Sequence, residues 1–434
     1  MADQRASIRV QENKLSHYLT VLRQFNRDVR LYLFASLLFG FSLFGGIYSL
    51  LLNLYLLRLG YGPKFVGVFN ATGALSFAIF SLPAIALANR IGSRRTMIAG
   101  TLVALIGYAT LSQIELLPVA MRSTFALITY SFGLFGVALY VVNGSPFLMS
   151  IVTPGQRSHV FSLQAASLPL AGFAGNLIGG FLPGLIASVF DLNPASPTPF
   201  RHALLISSML MIPAALFLTS TREPAIEPEE ESTPSGGQRP LGLILIVSFV
   251  SLLHVAGEGS VRTFFNVYMD QALGASTSLI GAVVAAGQLL AVPVALAVPL
   301  LSRWIGNRRI LIVGTVLSAL VLIPLGSFPY WTAAGMCYMA IMGFAGVRRP
   351  AFVVFTQELV PRNWRTAMSG TAAMMAGLGY SGIALGGGYI ITLYGYNYLF
   401  LTGSGLTACG GLIFWLYFRK PRGEFVANVS ADPY

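Results

Sequence analysis

The chain has 434 residues, of which 55% are hydrophobic and only 10% are charged, and its mean hydropathy is +0.72. Soluble globular proteins carry about 25% charged residues, so this composition excludes a soluble domain and indicates a chain that lies mostly within a membrane. The net charge of +12 therefore has to be explained by the way the basic residues are distributed about the membrane.

Apolar runs long enough to cross a membrane recur along the whole chain. A transmembrane helix needs about 20 apolar residues, and the runs between basic or Gly/Pro-rich breaks predict twelve spans. The polar segment before the first span lacks the short apolar core of a signal peptide, so we expect span 1 to be retained. The predicted spans are 31–57, 65–88, 96–114, 122–150, 160–186, 203–220, 241–269, 279–301, 310–327, 331–357, 366–393 and 397–418.

The basic residues predict the orientation of these spans. With the N-terminus inside, 20 of the 27 Lys and Arg residues fall in the inner segments, four in the outer loops and three within spans. Because short cytoplasmic loops accumulate Lys and Arg, we expect a multi-pass protein of the cell (inner) membrane with both termini cytoplasmic. The positive charge follows one side of the membrane and forms no single stripe, so no nucleic-acid partner is expected.

One long hydrophilic stretch, TREPAIEPEEESTPSGGQRP (221–240), divides the twelve spans into six and six. Its composition is typical of a disordered linker. The two halves resemble each other: IGSRRTMIAG (91–100) aligns with IGNRRILIVG (305–314), about 214 residues apart. These patterns predict five segments: a cytoplasmic tail (1–30), an N-terminal bundle (31–220), the linker (221–240), a C-terminal bundle (241–418) and a second tail (419–434).

The loop between spans 2 and 3 reads ANRIGSRRT (88–96), and this chain resembles the major facilitator superfamily over nearly its whole length. The family motif usually has Asp where Asn89 stands here. The resemblance implies an all-α integral membrane fold of two six-helix pseudo-repeat bundles, which transports a solute by alternating access. It also implies a gating loop on the cytoplasmic side, which we assign to Asn89, Arg90, Gly92, Arg94 and Arg95, with Arg308 and Arg309 in the second half.

Span 5 contains GNLIGG (175–180), which is similar to a glycine-rich element of efflux members of this family, with Asn176 in place of the family's proline. Small residues at this spacing are also typical of close helix packing. The element therefore leaves export of a drug in exchange for protons open as an alternative function.

Charged residues inside a membrane are candidates for function because each costs on the order of 2.5–3.5 kcal/mol at mid-membrane. His254, Glu258 and Arg262 follow one another at four-residue steps in span 7, and so share one stripe of the helix. We expect this stripe to face the water-filled seam between the halves. The alternative is a plain ion pair between Glu258 and Arg262 along the helix.

Span 10 carries a second charged pair, Arg348 and Arg349. Neighbouring side chains on a helix point about 100° apart, so we expect one arginine to serve the substrate and the other a partner. The alternative is that both extend to the cytoplasmic surface. Among the uncharged polar residues within spans, Asn143 and Gln288 are the further candidates for the site.

These observations favour a secondary transporter, with protons as the coupling ion and a small molecule as the substrate. Three arginines against one glutamate favour an anionic substrate, and Glu258 is the candidate proton carrier, with His254 as a relay. Import and export remain open, as does a membrane binder or sensor that does not transport. The lysines lie in no phosphate-binding loop, and no catalytic set is recognisable, so neither an ATP-driven pump nor an enzyme is expected.

Cys337 and Cys409 both lie in apolar runs, where a free thiol behaves as a small hydrophobe. We therefore expect no disulfide, no metal site and no cofactor. The expected partners are the substrate, protons and the lipid bilayer, and the protein is expected to act as a monomer.

Overall fold

The computed structural model describes residues 25–153, 156–222, 240–361 and 364–419. The predicted tails, 1–30 and 419–434, and the predicted linker, 221–240, fall almost entirely outside these ranges. Within them the regular structure is helical, and twelve helices are long and apolar enough to cross a membrane. The predicted all-α architecture and the predicted number of spans are confirmed.

Most helices extend beyond the apolar runs that predicted them. Span 2 begins at Pro63 and span 6 at Pro197, because proline fits the first helical turn, where its missing N–H has no partner to lose. The spans are Arg27–Ser42 with Ile47–Arg58 (span 1), Pro63–Ile91 (2), Ser93–Ser112 (3), Val119–Ile151 (4), Arg157–Val189 (5), Pro197–Met209 with Met211–Thr219 (6), Leu241–Gln271 (7), Thr277–Ser327 (8 and 9), Trp331–Glu358 (10), Arg365–Tyr394 (11) and Tyr396–Phe418 (12).

Span 1 is interrupted between its two helical parts, where Gly45 adopts a φ of 75°. A backbone carbonyl freed by such a break needs a partner inside a membrane. Asn176 of span 5 supplies it by donating its side-chain amide to the Gly45 carbonyl oxygen. Span 5 can approach this closely because Gly175 has no side chain: a Cβ there would lie 2.3 Å from the Phe41 carbonyl oxygen. The glycine-rich element of span 5 is thus a packing element around the break.

The same turn joins spans 2 to 3 and spans 8 to 9. Gly92 has φ 90° and ψ 152°, and Gly306 has φ 77° and ψ 150°. This left-handed region favours glycine because it has no Cβ. The two glycines are the equivalent positions of the sequence repeat, so the repeat extends to the backbone. We call the end of the molecule with these two loops the basic end and the opposite end the outer end.

Two helix pairs hold the halves together through glycine contacts. In span 2, a Cβ at Gly67 would lie 2.4 Å from the Ala384 carbonyl oxygen of span 11. In span 5, a Cβ at Gly180 would lie 3.0 Å from the Cα atom of Gly281 in span 8. Glycine lets the backbones approach in this way, which is how helices commonly associate in membranes. Both contacts lie in the outer part of the molecule.

Spans 1 and 7 exchange a reciprocal pair of hydrogen bonds across the halves. The Asn53 side-chain amide donates to the Thr263 carbonyl oxygen at 2.9 Å, and the Asn266 amide donates to the Leu50 carbonyl oxygen at 3.1 Å. Each asparagine is the repeat equivalent of the other, and so is each acceptor. We call these two bonds the asparagine clamp.

An ion pair closes the outer end beyond the asparagine clamp. The Arg58 guanidinium of span 1 donates two hydrogen bonds to the Asp270 carboxylate of span 7, at 2.8 and 2.5 Å. The seam between the halves is therefore closed at the outer end.

We expect Asp270→Asn to favour conformations that are open at the outer end, because Arg58 then loses the charge that holds the halves together. The pair is partly exposed, so we expect its loss to shift the equilibrium by about 1–2 kcal/mol, roughly 5- to 30-fold. Spin labels at Asn193→Cys and Pro329→Cys, in a variant without the two native cysteines, would report the change as a longer outer distance.

Glu115→Gln is the matched control, because Glu115 pairs with Arg201 at 3.5 Å on the outer side but within the N-terminal half. The control should leave the distance distribution unchanged. Equal distributions for Asp270→Asn and the unmodified protein would contradict a closing role for the ion pair.

Candidate functional site

Glu258 lies on span 7 with only 6% of its surface exposed. The glycines on either side, Gly257 and Gly259, allow neighbouring helices to approach its backbone: a Cβ at Gly257 would lie 2.5 Å from the side chains of Leu322 and Thr407. The helix thus fits tightly among its neighbours while the Glu258 carboxylate points toward span 10. An isolated charge at this depth would be costly, so its partners define the site.

Three arginines bind this single carboxylate. The Arg262 Nε atom donates to Glu258 Oε1 at 2.7 Å, and the Arg349 Nη2 atom donates to the same oxygen at 2.5 Å. The Arg348 Nη2 atom donates to Oε2 at 3.0 Å. We call these four residues the charge cluster, and its formal charge is that of three guanidinium groups and one carboxylate.

Arg348 and Arg349 reach the same carboxylate from very different surroundings. Arg348 is 6% exposed, whereas the Arg349 side chain is 62% exposed. Adjacent residues lie on different faces of span 10, as expected from helix geometry, and the different burial of the two arginines agrees with this. The sequence did not predict that both long side chains extend back to Glu258. Neither arginine has to reach the cytoplasmic surface to find a partner.

Two cavities lie on either side of the charge cluster. The central cavity lies between the halves, has a volume of about 280 Å³ and is lined by spans 1, 2, 3, 4, 7, 8, 10 and 11. The second cavity has a volume of about 490 Å³ and lies within the C-terminal half, where spans 7, 10 and 11 line it. We call it the C-half cavity. Arg262 lines the central cavity, whereas Glu258 lines the C-half cavity.

The predicted stripe on span 7 is therefore divided between two compartments. His254 lines the C-half cavity together with Glu258, is 5% exposed and packs near the Phe414 ring at 6.2 Å. Gln288 lines the central cavity, where its side chain lies against the break in span 1. Within the described ranges no three His, Cys, Asp or Glu side chains come together as metal ligands would.

Asn143 lies outside both cavities. It is 3% exposed, and its amide donates to the Leu139 carbonyl oxygen at 2.9 Å and to the Ala84 carbonyl oxygen at 3.4 Å. The first bond lies within span 4, and the second joins span 4 to span 2 within the N-terminal half. The structure thus gives Asn143 a packing environment and not a place at the charge cluster.

The gating-loop residues lie at the basic end, away from both cavities. Arg94 donates to the carbonyl oxygens of Leu218 and Thr219 and so caps the end of span 6. Arg308, its repeat equivalent, is half-buried like Arg94. The remaining members are Gly92, the turn glycine described above, and four residues with exposed side chains: Asn89, Arg90, Arg95 and Arg309.

Five tyrosines of the central cavity were not predicted from the sequence. Three belong to the N-terminal half and two to the C-terminal half: Tyr48, Tyr108, Tyr130, Tyr338 and Tyr380. The chain has 18 tyrosines, and neither charge nor motif distinguishes these five from the others. Their positions on the seam-facing sides of their helices are the only signal, and it requires the helix orientations that the structure provides.

The sequence profile of the Major Facilitator Superfamily matches this chain over residues 32–246 and again over residues 247–432. The chain belongs to the major facilitator superfamily. It is therefore a multi-pass secondary transporter of small molecules and not an enzyme. A comparison with curated proteins finds no match.

Solved structures of this superfamily share the fold. A mutant of the nucleoside transporter NupG is 13% identical, with a TM-score of 0.74 over 91% of this chain and 100% of its own. A D-xylose-proton symporter is 13% identical, with a TM-score of 0.71 over 92% of this chain and 97% of its own. A POT family transporter in complex with 5-aminolevulinic acid is 15% identical, with a TM-score of 0.69 over 90% of this chain and 96% of its own. At these identities the likeness concerns the fold alone.

The different burial of the two span 10 arginines predicts different effects on the stability of this transporter. Arg348→Ala should destabilise it by about 1–3 kcal/mol, because the buried Oε2 atom of Glu258 then loses its arginine donor. Arg349→Ala should cost less than about 1 kcal/mol, because this side chain is largely exposed and Arg262 still binds the same oxygen.

Thermal unfolding of the two variants in the same detergent would compare them as a matched pair. A clearly lower Tm for Arg348→Ala than for Arg349→Ala is expected. Equal losses would contradict the assignment of Arg348 as the structural member of the pair.

Proposed function

We propose that this protein is a proton-coupled carrier of a small organic anion, with Glu258 as the residue that takes up and releases the proton. The observation that carries the proposal is the charge cluster: one buried carboxylate is held by three arginines beside two cavities. Secondary transporters couple solute and ion movement through groups of this kind near the middle of the membrane.

The charge of the cluster supports an anionic substrate. Three guanidinium groups and one carboxylate leave two positive charges without a counter-charge inside the cluster. A bound anion would offset one of them. Arginine suits this role because its planar fork binds carboxylate or phosphate through two hydrogen bonds and keeps its charge.

Protonation of Glu258 would make the proton and the anion depend on each other. The neutral carboxyl group attracts the arginines less strongly than the carboxylate does, so a guanidinium becomes available to the substrate. A bound anion in turn stabilises the arginines while Glu258 is protonated. The two species therefore favour each other's binding and move in the same direction, with the gradients deciding between import and export.

The fold supports a proposal for the rest of the transport cycle. We propose that the bundles 31–220 and 241–418 rock about the central cavity as a monomer, joined by the linker 221–240. Both termini and the gating loops lie on the cytoplasmic side of the cell membrane in this proposal, so the closed outer end faces away from the cytoplasm. A D-xylose-proton symporter with the same fold supports proton coupling on this scaffold.

Glu258→Gln should abolish uphill transport but leave counterflow exchange. A glutamine cannot carry a proton across the membrane, yet it leaves the arginines free to bind the anion, so exchange of bound for free substrate continues. The substrate for this assay would be an organic acid that raises the Tm of the purified protein in a screen of organic anions, sugars and drugs. Flux into proteoliposomes, with and without a pH gradient, provides the measurement.

Glu258→Asp is the matched control, since it retains the carboxylate and should retain part of the uphill transport. Loss of both activities in Glu258→Gln, or of neither, would contradict the coupling role. Binding without any flux in the unmodified protein would instead identify a binder or sensor. Proton movement opposite to that of the substrate would indicate an antiporter.

A further inference from the structure

We infer that the substrate is a small, hydroxylated, ring-bearing monocarboxylate, and that it binds in the central cavity with its carboxylate on Arg262 and its ring among the tyrosines. The inference rests on the proposed function in one respect, because it takes the substrate to be an anion. It goes further by separating the substrate from the proton: the substrate lies in the central cavity, whereas Glu258 lies in the C-half cavity.

Arg262 is the cation that the central cavity offers. Among the described residues it is the one charged side chain that lines this cavity, and 34% of the side chain is exposed there. Its Nε atom is bonded to Glu258, while its two Nη atoms have no hydrogen-bond partner in the described part of the chain. A carboxylate can bind to this free edge of the guanidinium. A second carboxylate would lack a cation, so a monoanion fits the cavity and a dianion does not.

The tyrosines supply walls for a flat ring. Tyr48 packs edge-on against Tyr108 at 4.8 Å, and Tyr108 packs edge-on against Tyr130 at 6.2 Å. Across the seam, Tyr338 is held by stacking on Phe265 at 4.3 Å. The rings thus come from both halves and face one space. Aromatic pairs of this kind contribute beyond the area that they bury, so a ring bound between the halves gains contacts with each of them.

Several polar groups of the same cavity remain free to bind a hydroxyl group. The hydroxyls of Tyr108, Tyr130 and Tyr338 and the amide of Gln288 line the cavity, and within the described ranges no hydrogen-bond partner is found for them. By contrast, the Asn53 amide is used in the asparagine clamp. At about 280 Å³ the cavity is at the small end of small-molecule sites, which span about 300–1,000 Å³. These features favour one small ring with a hydroxyl substituent.

The other two arginines do not compete for this role. Arg348 and Arg349 line the C-half cavity, and each donates to Glu258. Arg262 is the member of the charge cluster that lines the central cavity, and it is bonded to Glu258 of the C-half cavity. Substrate recognition should therefore depend more on Arg262 than on Arg349.

Binding of 4-hydroxybenzoate to the purified full-length protein tests the inference by calorimetry at one fixed pH. Three comparison compounds each change one part of the molecule: 4-hydroxybenzyl alcohol has no carboxylate, lactate has no ring, and terephthalate has a second carboxylate in place of the hydroxyl. We expect 4-hydroxybenzoate to bind and each comparison compound to bind at least 10-fold more weakly. Arg262→Ala should weaken 4-hydroxybenzoate binding at least 10-fold, and clearly more than the matched variant Arg349→Ala, which leaves the free edge of the Arg262 guanidinium in place.

Two further variants test the inference if Arg262→Ala does not fold. Arg262→Lys keeps the charge but not the fork, and should still weaken binding several-fold. Tyr338→Phe should reduce the preference for 4-hydroxybenzoate over benzoate. The inference is overturned if no monocarboxylate binds, if the alcohol binds as well as the acid, or if Arg349→Ala loses as much affinity as Arg262→Ala.

This experiment separates the inference from the proposed function. Calorimetry without a gradient does not depend on proton coupling, so selective binding through Arg262 would stand even if Glu258→Gln transported uphill. Conversely, proton-driven flux of an anion that is indifferent to Arg262→Ala would overturn the inference and leave the proposed function intact.

Discussion

The charge cluster is the interaction on which the arrangement of the C-terminal half depends. A lone charge in a membrane costs on the order of 2.5–3.5 kcal/mol, and three arginines are accommodated here because they share the carboxylate of Glu258. The sharing fixes span 10 against span 7 at one depth, since both oxygens of Glu258 are engaged. It also leaves an excess of positive charge, which is why a buried group that stabilises the fold can serve transport at the same time.

The closed outer end and the central cavity are built from the same residues. Asn53 donates to span 7 and accepts a hydrogen bond from Asn70 at 3.0 Å, and both side chains line the cavity. Asn266, the other member of the asparagine clamp, lines it as well. A solute in the cavity therefore touches the groups that hold the halves together. This arrangement gives a physical route from occupancy to opening, because the two-state element and the binding site share side chains.

Hydropathy and helical periodicity predicted the twelve spans and the common stripe of Glu258 and Arg262, since both depend on local sequence. The turn glycines, Gly92 and Gly306, were also visible as a repeat. What could not be predicted depends on the positions of other helices. The convergence of Arg348 and Arg349 requires a carboxylate on span 7 within reach of both. The break in span 1 is stable because Asn176 of span 5 donates a hydrogen bond to its free backbone carbonyl. The five tyrosines line a common cavity only once their helices have packed together.

Arg262 explains how two separated cavities can act as one site. It lies four residues beyond Glu258, about 6 Å further along the helix, so its side chain lies at the boundary between the compartments. Its Nε atom is committed to the carboxylate while its outer edge faces the central cavity. A change of charge on one side then alters the freedom of the same guanidinium on the other. Proton and solute therefore need not touch: one arginine on one helix is enough to connect them.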